Sequence, residues 1–307
     1  MKELRAACAD VAERAWYVQI DREQIPLYAI SLPVDDEPWP SEPGDAGPHP
    51  TGGPKEQVCA YWVTLDAINF GSGWFPTLQK RKGRSGYYTV AAGVREWFER
   101  HGHWSAAQLQ KLDADVVARA LGQDPHHQLM RLFAHSLRDL GAQLQERHGG
   151  KFTALVESAD GSAVELAMHL GEWDCFNDVS RYDELEVPFY KRAQIAAADL
   201  ARAGMAQFRD LDELTMFADN LVPHVLRMDG LLRFDPELVA RIDRGELIIH
   251  GSREEVEIRA CALHAVELIV MARPRTCAAQ IDQLLWVRGQ QPLYKNAPRH
   301  RCRCAAY

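Results

Sequence analysis

Apolar residues recur at helical spacing along most of this chain, and several of these stretches have recognisable ends. Leucines form one stripe in SAAQLQKLDADVVARAL, behind a serine cap, and in HQLMRLFAHSLRDLGAQLQERHGG, which stops at Gly149. Asp235 and Pro236 begin a helix predicted in FDPELVARIDRGE, and Ser252 and Glu255 stand at capping-box spacing in GSREEVEIRACALHAVELIVMAR. Further helices are predicted in MKELRAACADVAERAWYVQI and TCAAQIDQLLWVRG. The pattern indicates a mostly α fold.

Two segments near the N-terminus predict extended structure instead. The first, QIPLYAISLPV, has the composition of a strand or an extended segment, and QVCAYWVTL alternates as a half-buried strand does. Between them, proline and glycine are too frequent for regular structure in DDEPWPSEPGDAGPHPTGGPKE, residues 35–56. We therefore expect a few short strands mainly in the N-terminal part, and a flexible surface excursion at 35–56 within a single domain spanning residues 1–307.

One apolar helical stretch, TMFADNLVPHVLRMDG, contains a carboxylate at Asp219. Its apolar residues would form a buried face, with Asp219 at or near the edge of that face. Pro223 lacks an N–H and disfavours helical torsions at Val222, so we expect the helix to break here. Either the acid is freed from the packed face by this break, or it caps the helix that follows, which is a common use of aspartate.

Composition limits the classes of partner. The 307 residues are 47% apolar, enough for a sizeable core, and the net charge is −8. A negative chain without a continuous basic stripe is a poor binder of polymeric nucleic acid, whereas a small anionic ligand in one pocket is compatible with it. No apolar, uncharged stretch reaches about 18 residues, so no membrane partner is expected. Seven scattered cysteines fit free thiols in a reducing compartment, and we expect a cytoplasmic protein.

The C-terminal segment APRHRCRCAAY permits two interpretations. His300, Cys302 and Cys304 would share one face of an extended strand, but a structural zinc site needs four ligands in recognisable pairs and no other pair completes it. No metal or other cofactor is therefore predicted. The arginines that alternate with these residues would point the other way, and guanidinium groups match phosphate oxygens. The alternative is a solvated basic terminus.

Two further segments carry candidate binding residues. Lys191 and Arg192 stand in the first turn of a helix predicted in VPFYKRAQIAAADLARAG, where helix N–H groups could help to hold an anion. Equally, the aromatic residues before them could anchor the helix while both charges face water. In LDAINFGSGWFP, polar and aromatic residues surround two glycines, which suits either a wall for a planar base or a packed turn. Fingerprints such as GxGxxG, HExxH and GxSxG are absent from the sequence.

Six blocks together identify a family. From about Cys59 to Tyr307, this chain resembles the queuosine salvage proteins, or queuosine 5'-phosphate N-glycosylases, in the ordered segments TLDAINFGSGW, SGYYTVAAGVREWFE, VPFYKRAQIAAADL, MFADNLVPHVL, GSREEVEIRACALHAVELI and APRHRCRCAAY. The ending AAY departs from the more typical aromatic pair. The resemblance implies hydrolysis of the N-glycosidic bond of queuosine 5'-monophosphate, a 7-deazaguanine nucleotide, to queuine and ribose 5-phosphate. It also implies a helical fold similar to helix-hairpin-helix DNA glycosylases.

The resemblance also assigns roles. It implies that Asp219 is the catalytic carboxylate and that Lys191 belongs to the same site. The chemistry agrees, because a fixed carboxylate stabilises the positive charge that builds on the ribose and can orient the attacking water. We expect other residues to bind the base and the phosphate: Phe70, Phe189 or Tyr190 by stacking, Asp66 or Asn69 by hydrogen bonds to the base, and Lys191, His300, Arg301 and Arg303 by contacts with phosphate.

Two alternatives to this function stay open, an enzyme that acts on a base within a polynucleotide and a non-catalytic carrier, and the net charge of −8 argues against the first. A non-catalytic carrier of queuine or of a deazapurine nucleotide would need the same pocket. In EEVEIRACALHAVEL, Glu257 and Arg259 are expected to form a buried or interhelical ion pair that orients the core, and His264 is expected to be an ordinary helix histidine.

Overall fold

The computed structural model describes residues 1–33, 49 and 52–307, and most of these are helical, as predicted. The N-terminal part contains β1 (Val18–Ile20), a 3-10 turn (Phe75–Thr77) and the helices α1 (Lys2–Arg14), α2 (Ile25–Ser31), α3 (Lys55–Ala67), α4 (Gly86–His101), α5 (Ala106–Leu109), α6 (Ala114–Leu121), α7 (Gln128–His148), α8 (Phe152–Ser158) and α9 (Ala163–Gly171). None of the described helices is both long enough and apolar enough to span a membrane.

The C-terminal part contains the other three strands and several helices, some of which line the cavity described below. Its elements are β2 (Val179–Tyr182), β3 (Leu185–Pro188), α10 (Lys191–Arg202), a 3-10 turn (Leu211–Glu213), α11 (Leu221–Met228), β4 (Leu232–Phe234), α12 (Pro236–Asp243), α13 (Arg253–Ala272), α14 (Ala278–Arg288) and α15 (Pro292–Lys295). Strands β1 and β4 are far apart in sequence and pair antiparallel, and β2 and β3 form an antiparallel hairpin.

Both extended segments predicted near the N-terminus are wrong, because both are helices. The first is α2, which buries Ile25 and Ala29 one turn apart and has proline in its first turn, where no N–H is needed. The second is α3, in which every residue from Val58 to Ala67 is buried. A helix covered on all sides has no polar stripe, so its short apolar run cannot be told from a strand by periodicity.

The predicted proline-rich excursion lies largely outside the described residues, since 34–48, 50 and 51 are not described. Its last two residues, Lys55 and Glu56, are wrongly placed by that prediction because they begin α3. The Glu56 carboxylate accepts hydrogen bonds from the N–H groups of Phe152 and Thr153, both at 2.9 Å, so the acid joins the start of α3 to the start of α8.

The helices with clear end signals are confirmed. Gly149 ends α7 in the left-handed conformation, with φ of 58°. Asp235 caps α12 by accepting from two backbone N–H groups, and Ser252 caps α13. The capping box at α13 is altered, because the Glu255 carboxylate accepts from the N–H of Gly251 at 3.0 Å rather than from Ser252. The segment predicted as one helix after Ser105 is two, α5 and α6.

Helix α11 corrects the predicted break. Residues 214–218 have no regular structure, and the helix begins at Leu221, after Asp219. Pro223 is therefore the third helical residue, where its missing N–H would have had no intrahelical partner. The proline is compatible with the start of a helix, and no helix is interrupted at this point.

Two hydrophobic clusters fill the interior. One is built from α3 to α10, and the other from α1, α2, α11, α13 and α14 with the short strands. The C-terminal tail after α15 contributes a third, small cluster, which includes Cys302, Cys304 and Tyr307. A cavity of about 450 Å³ takes its lining from both main clusters and from the tail.

Candidate active site

A cavity of about 450 Å³ brings together six separate parts of the chain, and its volume is in the usual range for small-molecule sites. The loop after α3, the start of α4, one face of α10, residues 217–222, α14 and the tail all contribute to its wall. The lining contains aromatic side chains, among them Phe70, Phe217 and Trp286, and charged side chains, among them Lys191 and Asp219. A planar, polar ligand suits this mixture.

Helix α10 presents a polar stripe to the cavity. Lys191, Ile195, Asp199 and Arg202 all line it, at the spacing i, i+4, i+8 and i+11 that places side chains on one helix face. Tyr190, just before the helix, has a left-handed backbone with φ of 48°. This turn lets the chain leave β3 and enter α10 so that Lys191 is the first residue on the stripe.

Asp219 is held by the helix that follows it. Its Oδ1 atom accepts hydrogen bonds from the N–H groups of Leu221 at 2.7 Å and Val222 at 3.4 Å. Among the described residues, no donor hydrogen-bonds to Oδ2, and the side chain lines the cavity. The predicted alternative, a capping aspartate, is thus confirmed, and the same residue still presents a carboxylate oxygen to a ligand. The N-terminal end of a helix also favours negative charge.

Lys191 lies next to this carboxylate in a water-poor environment. The residue is 4% exposed, and its Nζ donates to the main-chain oxygen of Asn69 at 3.0 Å. Burial lowers the pKa of the Lys191 ammonium, whereas the nearby carboxylate of Asp219 acts in the opposite direction. Lys191 therefore fixes the loop after α3 and places a positive charge beside Asp219.

Three buried carboxyl groups surround the same region. Burial raises the pKa of Asp199 and, further, that of Asp66 and Asp282, because water no longer stabilises the ionised forms. Repulsion between Asp66 and Asp199, and between Asp282 and Asp219, adds to this rise, while Lys191 opposes it at all three. Burial thus favours the neutral forms of Asp66 and Asp282, whereas the carboxylate of Asp199 is held in an ion pair with Arg202 at 2.5 Å.

A buried ion pair positions both Asp219 and Lys191. The Arg259 guanidinium lies 2.6 Å from Asp178 Oδ2, and both side chains are fully buried. Arg259 also donates to the carbonyl oxygen of Ala218, while Asp178 Oδ2 accepts from the N–H of Lys191. The predicted buried ion pair in α13 exists, but Glu257 is the wrong partner, since its carboxylate accepts from three N–H groups near β1.

Four of the predicted site residues line the cavity: Asp219, Lys191, Asn69 and Phe70. Asp66 does not line it, and instead lies buried behind the loop, 3.4 Å from the Asn69 side-chain nitrogen. Neither predicted aromatic neighbour of Lys191 reaches the cavity. Phe189 packs under Arg259, with 3.9 Å from its ring centroid to the guanidinium carbon, and the Tyr190 ring lies against Gly171.

The tail residues that line the cavity are not the ones that were predicted to bind phosphate. Burial alternates from His300 onward as expected, but His300, Arg301 and Arg303 do not line the cavity. His300 is buried, Arg301 donates to the carbonyl oxygen of Gly245, and Arg303 lies against Trp74. The cavity instead receives Arg299 from the same tail, because the segment before His300 is not an extended strand.

Several lining residues were not anticipated, and some had a detectable signal. Asp199 stands on the helix face of Lys191, and Asp282 interrupts the buried face of α14, so each is an acid at an apolar position. Tyr307 and Arg299 had no such signal, since their place depends on where the tail passes. Arg192, also expected to bind an anion, instead donates to the carbonyl oxygens of Ala67 and Ala306.

Comparison with known proteins identifies the family of this chain. The sequence model of the queuosine salvage protein family covers residues 48–307. A protein of Sphaerobacter thermophilus named queuosine 5'-phosphate N-glycosylase/hydrolase is 36% identical over 82% of each chain. Proteins of the same name from Bos taurus and Nematostella vectensis are 31% and 33% identical, over 82% and 71% of this chain. The chain therefore belongs to the queuosine salvage protein family.

Proposed function

We propose that this protein hydrolyses the N-glycosidic bond of queuosine 5'-monophosphate, releasing queuine and ribose 5-phosphate for queuine salvage. The supporting observation is the placement of Asp219, whose Oδ2 atom has no protein donor among the described residues and whose side chain lines a cavity of about 450 Å³ beside Lys191. The three compared relatives carry the name of this activity. A single cavity of this size suits a mononucleotide rather than a nucleic-acid polymer.

Asp219 acts on the sugar. As the C1'–N bond breaks, positive charge develops on the anomeric carbon and the ring oxygen, and a fixed carboxylate stabilises it more than it stabilises the neutral substrate. A water molecule oriented by Asp219 then forms the new C–O bond at C1' and gives up a proton, while the bonding electrons leave with the base, which takes up a proton. Because the helix N–H groups already hold Oδ1, the carboxylate needs little reorganisation.

The leaving base needs help from its other edges. A 7-deazaguanine lacks the ring nitrogen that purine glycosidases protonate, so its departure depends on hydrogen bonds elsewhere and on stabilisation of the ribosyl cation. The buried acid Asp282 lines the cavity and has a raised pKa, so its neutral form can donate a hydrogen bond to the base. Asp199 also lines the cavity, where its carboxylate is paired with Arg202 at 2.5 Å. Phe70 and Phe217 provide apolar ring surfaces for the same base.

The phosphate is assigned to cations of the cavity rather than to His300, Arg301 or Arg303. Arg299 lines the cavity, where burial lowers the pKa of its guanidinium and the nearby Asp219 carboxylate acts in the opposite direction. Lys80, Arg84 and Lys295 also line it and are exposed, so they surround its opening to solvent. An acidic protein needs such a local group of cations to bind a dianion.

The compartment is inferred from the cysteines. All seven belong to the described residues and are free thiols. Thiols persist in a reducing environment, and we therefore place the reaction in the cytoplasm.

Product analysis tests the function against the carrier alternative. The protein is incubated with queuosine 5'-monophosphate and the mixture is separated by chromatography. The proposal expects free queuine and ribose 5-phosphate in equal amounts, with repeated turnover at substoichiometric enzyme. Retention of intact nucleotide in a one-to-one complex, without released base, would instead establish a carrier.

A further inference from the structure

Three metal-ligating side chains meet outside the cavity. The imidazole of His250 and the thiols of Cys302 and Cys304 each offer one ligand atom, and these atoms all lie within 4.8 Å of one another. Both thiols are buried, whereas the His250 side chain is 37% exposed. Two sulfurs and one nitrogen are a donor set that thiophilic divalent cations prefer.

Long-range pairing of the tail assembles the cluster. The carbonyl oxygen of Arg301 accepts from the N–H of Ile248 at 2.9 Å, and Leu247 and Arg301 form a parallel bridge. The tail therefore runs beside the turn that precedes α13, and the alternation of its side chains turns Cys302 and Cys304 inward. The histidine expected to join them, His300, is not in the cluster, and His250 takes that place.

The histidine has a partner that suits a metal ligand. His250 Nδ1 lies 3.5 Å from Glu255 Oε1, which leaves the other ring nitrogen as the available ligand. Glu255 is fully buried and is itself held by Arg259 and by the N–H of Gly251. Metal-binding histidines commonly direct the second nitrogen to such a fixed carboxylate, which sets the ring orientation.

Hydrogen bonds connect the three side chains of the cluster. Hydrogen bonds from Cys302 and His250 lower the pKa of Cys304, against the effect of its burial. Hydrogen bonds to Cys304 and Glu255 raise the pKa of His250 to about 10. The thiol of Cys302, which donates to Cys304, has a raised pKa. These hydrogen bonds hold the three ligand atoms close together.

We propose that His250, Cys302 and Cys304 bind one thiophilic divalent cation of the zinc class, with water as the fourth ligand. The exposed side of His250 gives that water access to the site. Cysteine binds a cation as thiolate and histidine as neutral imidazole, so coordination displaces the thiol protons of Cys302 and Cys304. Two protons leave for each cation bound.

Such a cation would fasten the tail that completes the cavity. The bound tail begins just after Arg299 and ends at Tyr307, and both residues line the cavity. The main-chain oxygen of Tyr307 accepts from the N–H of Gly71 at 3.0 Å, on the loop that also carries Phe70. The proposed role is therefore structural, and its test does not depend on catalysis.

Cobalt(II) titration of the reduced, metal-free, full-length protein tests the site. We expect one Co²⁺ per chain, with the intense visible bands of tetrahedral geometry and sulfur-to-cobalt charge transfer in the near ultraviolet. Cys302→Ser, Cys304→Ser and His250→Ala should each abolish the tetrahedral spectrum. Cys277→Ser and His264→Ala are the matched controls, since Cys277 is the most accessible cysteine and His264 lies on α13. Both controls should titrate as the parent protein does.

Calorimetry with Zn²⁺ in two buffers gives a second measurement. The difference between the binding heats in the two buffers should correspond to about two protons released per ion. Zn²⁺ should also raise Tm in the parent protein but not in His250→Ala. The His250 side chain is 37% exposed, so we expect this variant to fold. Absence of one-to-one binding, or binding that survives in the Cys302→Ser and Cys304→Ser variants, would overturn the proposal. So would binding through the control cysteine, because it would show only a nonspecific thiol.

Discussion

Asp219 caps a helix and presents a negative charge to the cavity, and its replacement by asparagine separates these two roles. The Oδ1 atom accepts from the N–H groups of Leu221 and Val222, and an asparagine carbonyl can accept the same two bonds. Asparagine and aspartate are nearly equivalent at helix N-termini, so the start of α11 should be preserved. What disappears is the negative charge that the second oxygen presents to the cavity, beside Lys191.

The size of the effect follows from these two roles. Because the cap is retained, the free energy of unfolding should change by less than about 1 kcal/mol. Loss of a preorganised electrostatic group costs about 100- to 1000-fold in turnover, or roughly 2.7–4 kcal/mol of barrier. The loss should appear in kcat rather than KM, because the charge matters more when the sugar becomes positive.

The assay combines kinetics with stability. Release of base from queuosine 5'-monophosphate is followed by chromatography under single-turnover conditions, and unfolding is measured in urea. Asp219→Ala is the matched control, because it removes both the charge and the cap. We expect it to lose as much activity as Asp219→Asn and, in addition, about 1 kcal/mol of stability.

The result that refutes the reasoning is specific. If Asp219→Asn kept turnover within tenfold of the parent protein, the carboxylate would be no more than a cap. The catalytic assignment would also fail if activity fell only in Asp219→Ala, in step with stability, since the charge would then be irrelevant.

Three further predictions concern phosphate binding, pH dependence and the buried ion pair. Arg299→Gln should raise KM for the nucleotide but not for the nucleoside, and Arg301→Gln, on the same tail but outside the cavity, should leave both unchanged; equal effects of the two variants would exclude a phosphate role for Arg299. Asp282 has a raised pKa, so above about pH 4 the unfolded chain loses a proton that the folded state keeps, and stability falls as pH rises toward the folded pKa. Urea unfolding at about pH 5 and about pH 7 should therefore show Asp282→Asn gaining stability over the parent protein at the higher pH, and a constant difference would contradict the shift. Arg259→Met leaves two buried carboxylates unpaired and should cost about 3–5 kcal/mol in urea unfolding, whereas a change below about 1 kcal/mol would show that they are protonated or hydrated.

The sequence predicts those helices whose ends carry local signals. Asp235, Ser252 and Gly149 each satisfy backbone groups within a few residues, so neither burial nor distant contacts decide their role. Helix α3 escapes the same reasoning because its neighbours cover it on every side. Its helical state depends on tertiary packing, which no local window contains.

The site shows a similar division. Lys191 and Asn69 line the cavity, and both lie where a helix begins or ends, which local sequence signals indicate. Within the tail, strand-like alternation predicts which residues are buried. It does not predict which of the outward arginines lines the cavity beside α10 and α14, and that residue is Arg299. That depends on the bridge between Arg301 and Leu247, two residues far apart in sequence.

The network around Arg259 explains why the two predicted catalytic residues belong to one site. Arg259 fixes the carbonyl of Ala218, and its partner Asp178 fixes the N–H of Lys191, so a single buried ion pair sets the backbone on both sides of the cavity. A buried pair of this kind adds little net stability, since desolvation offsets most of the attraction. Its value is geometric, because a carboxylate stabilises a developing charge only when it is already in place. The sequence predicted Asp219 at the edge of the buried face of a broken helix, whereas residues 214–218 are not helical and a hydrogen bond from α13 holds this segment in place.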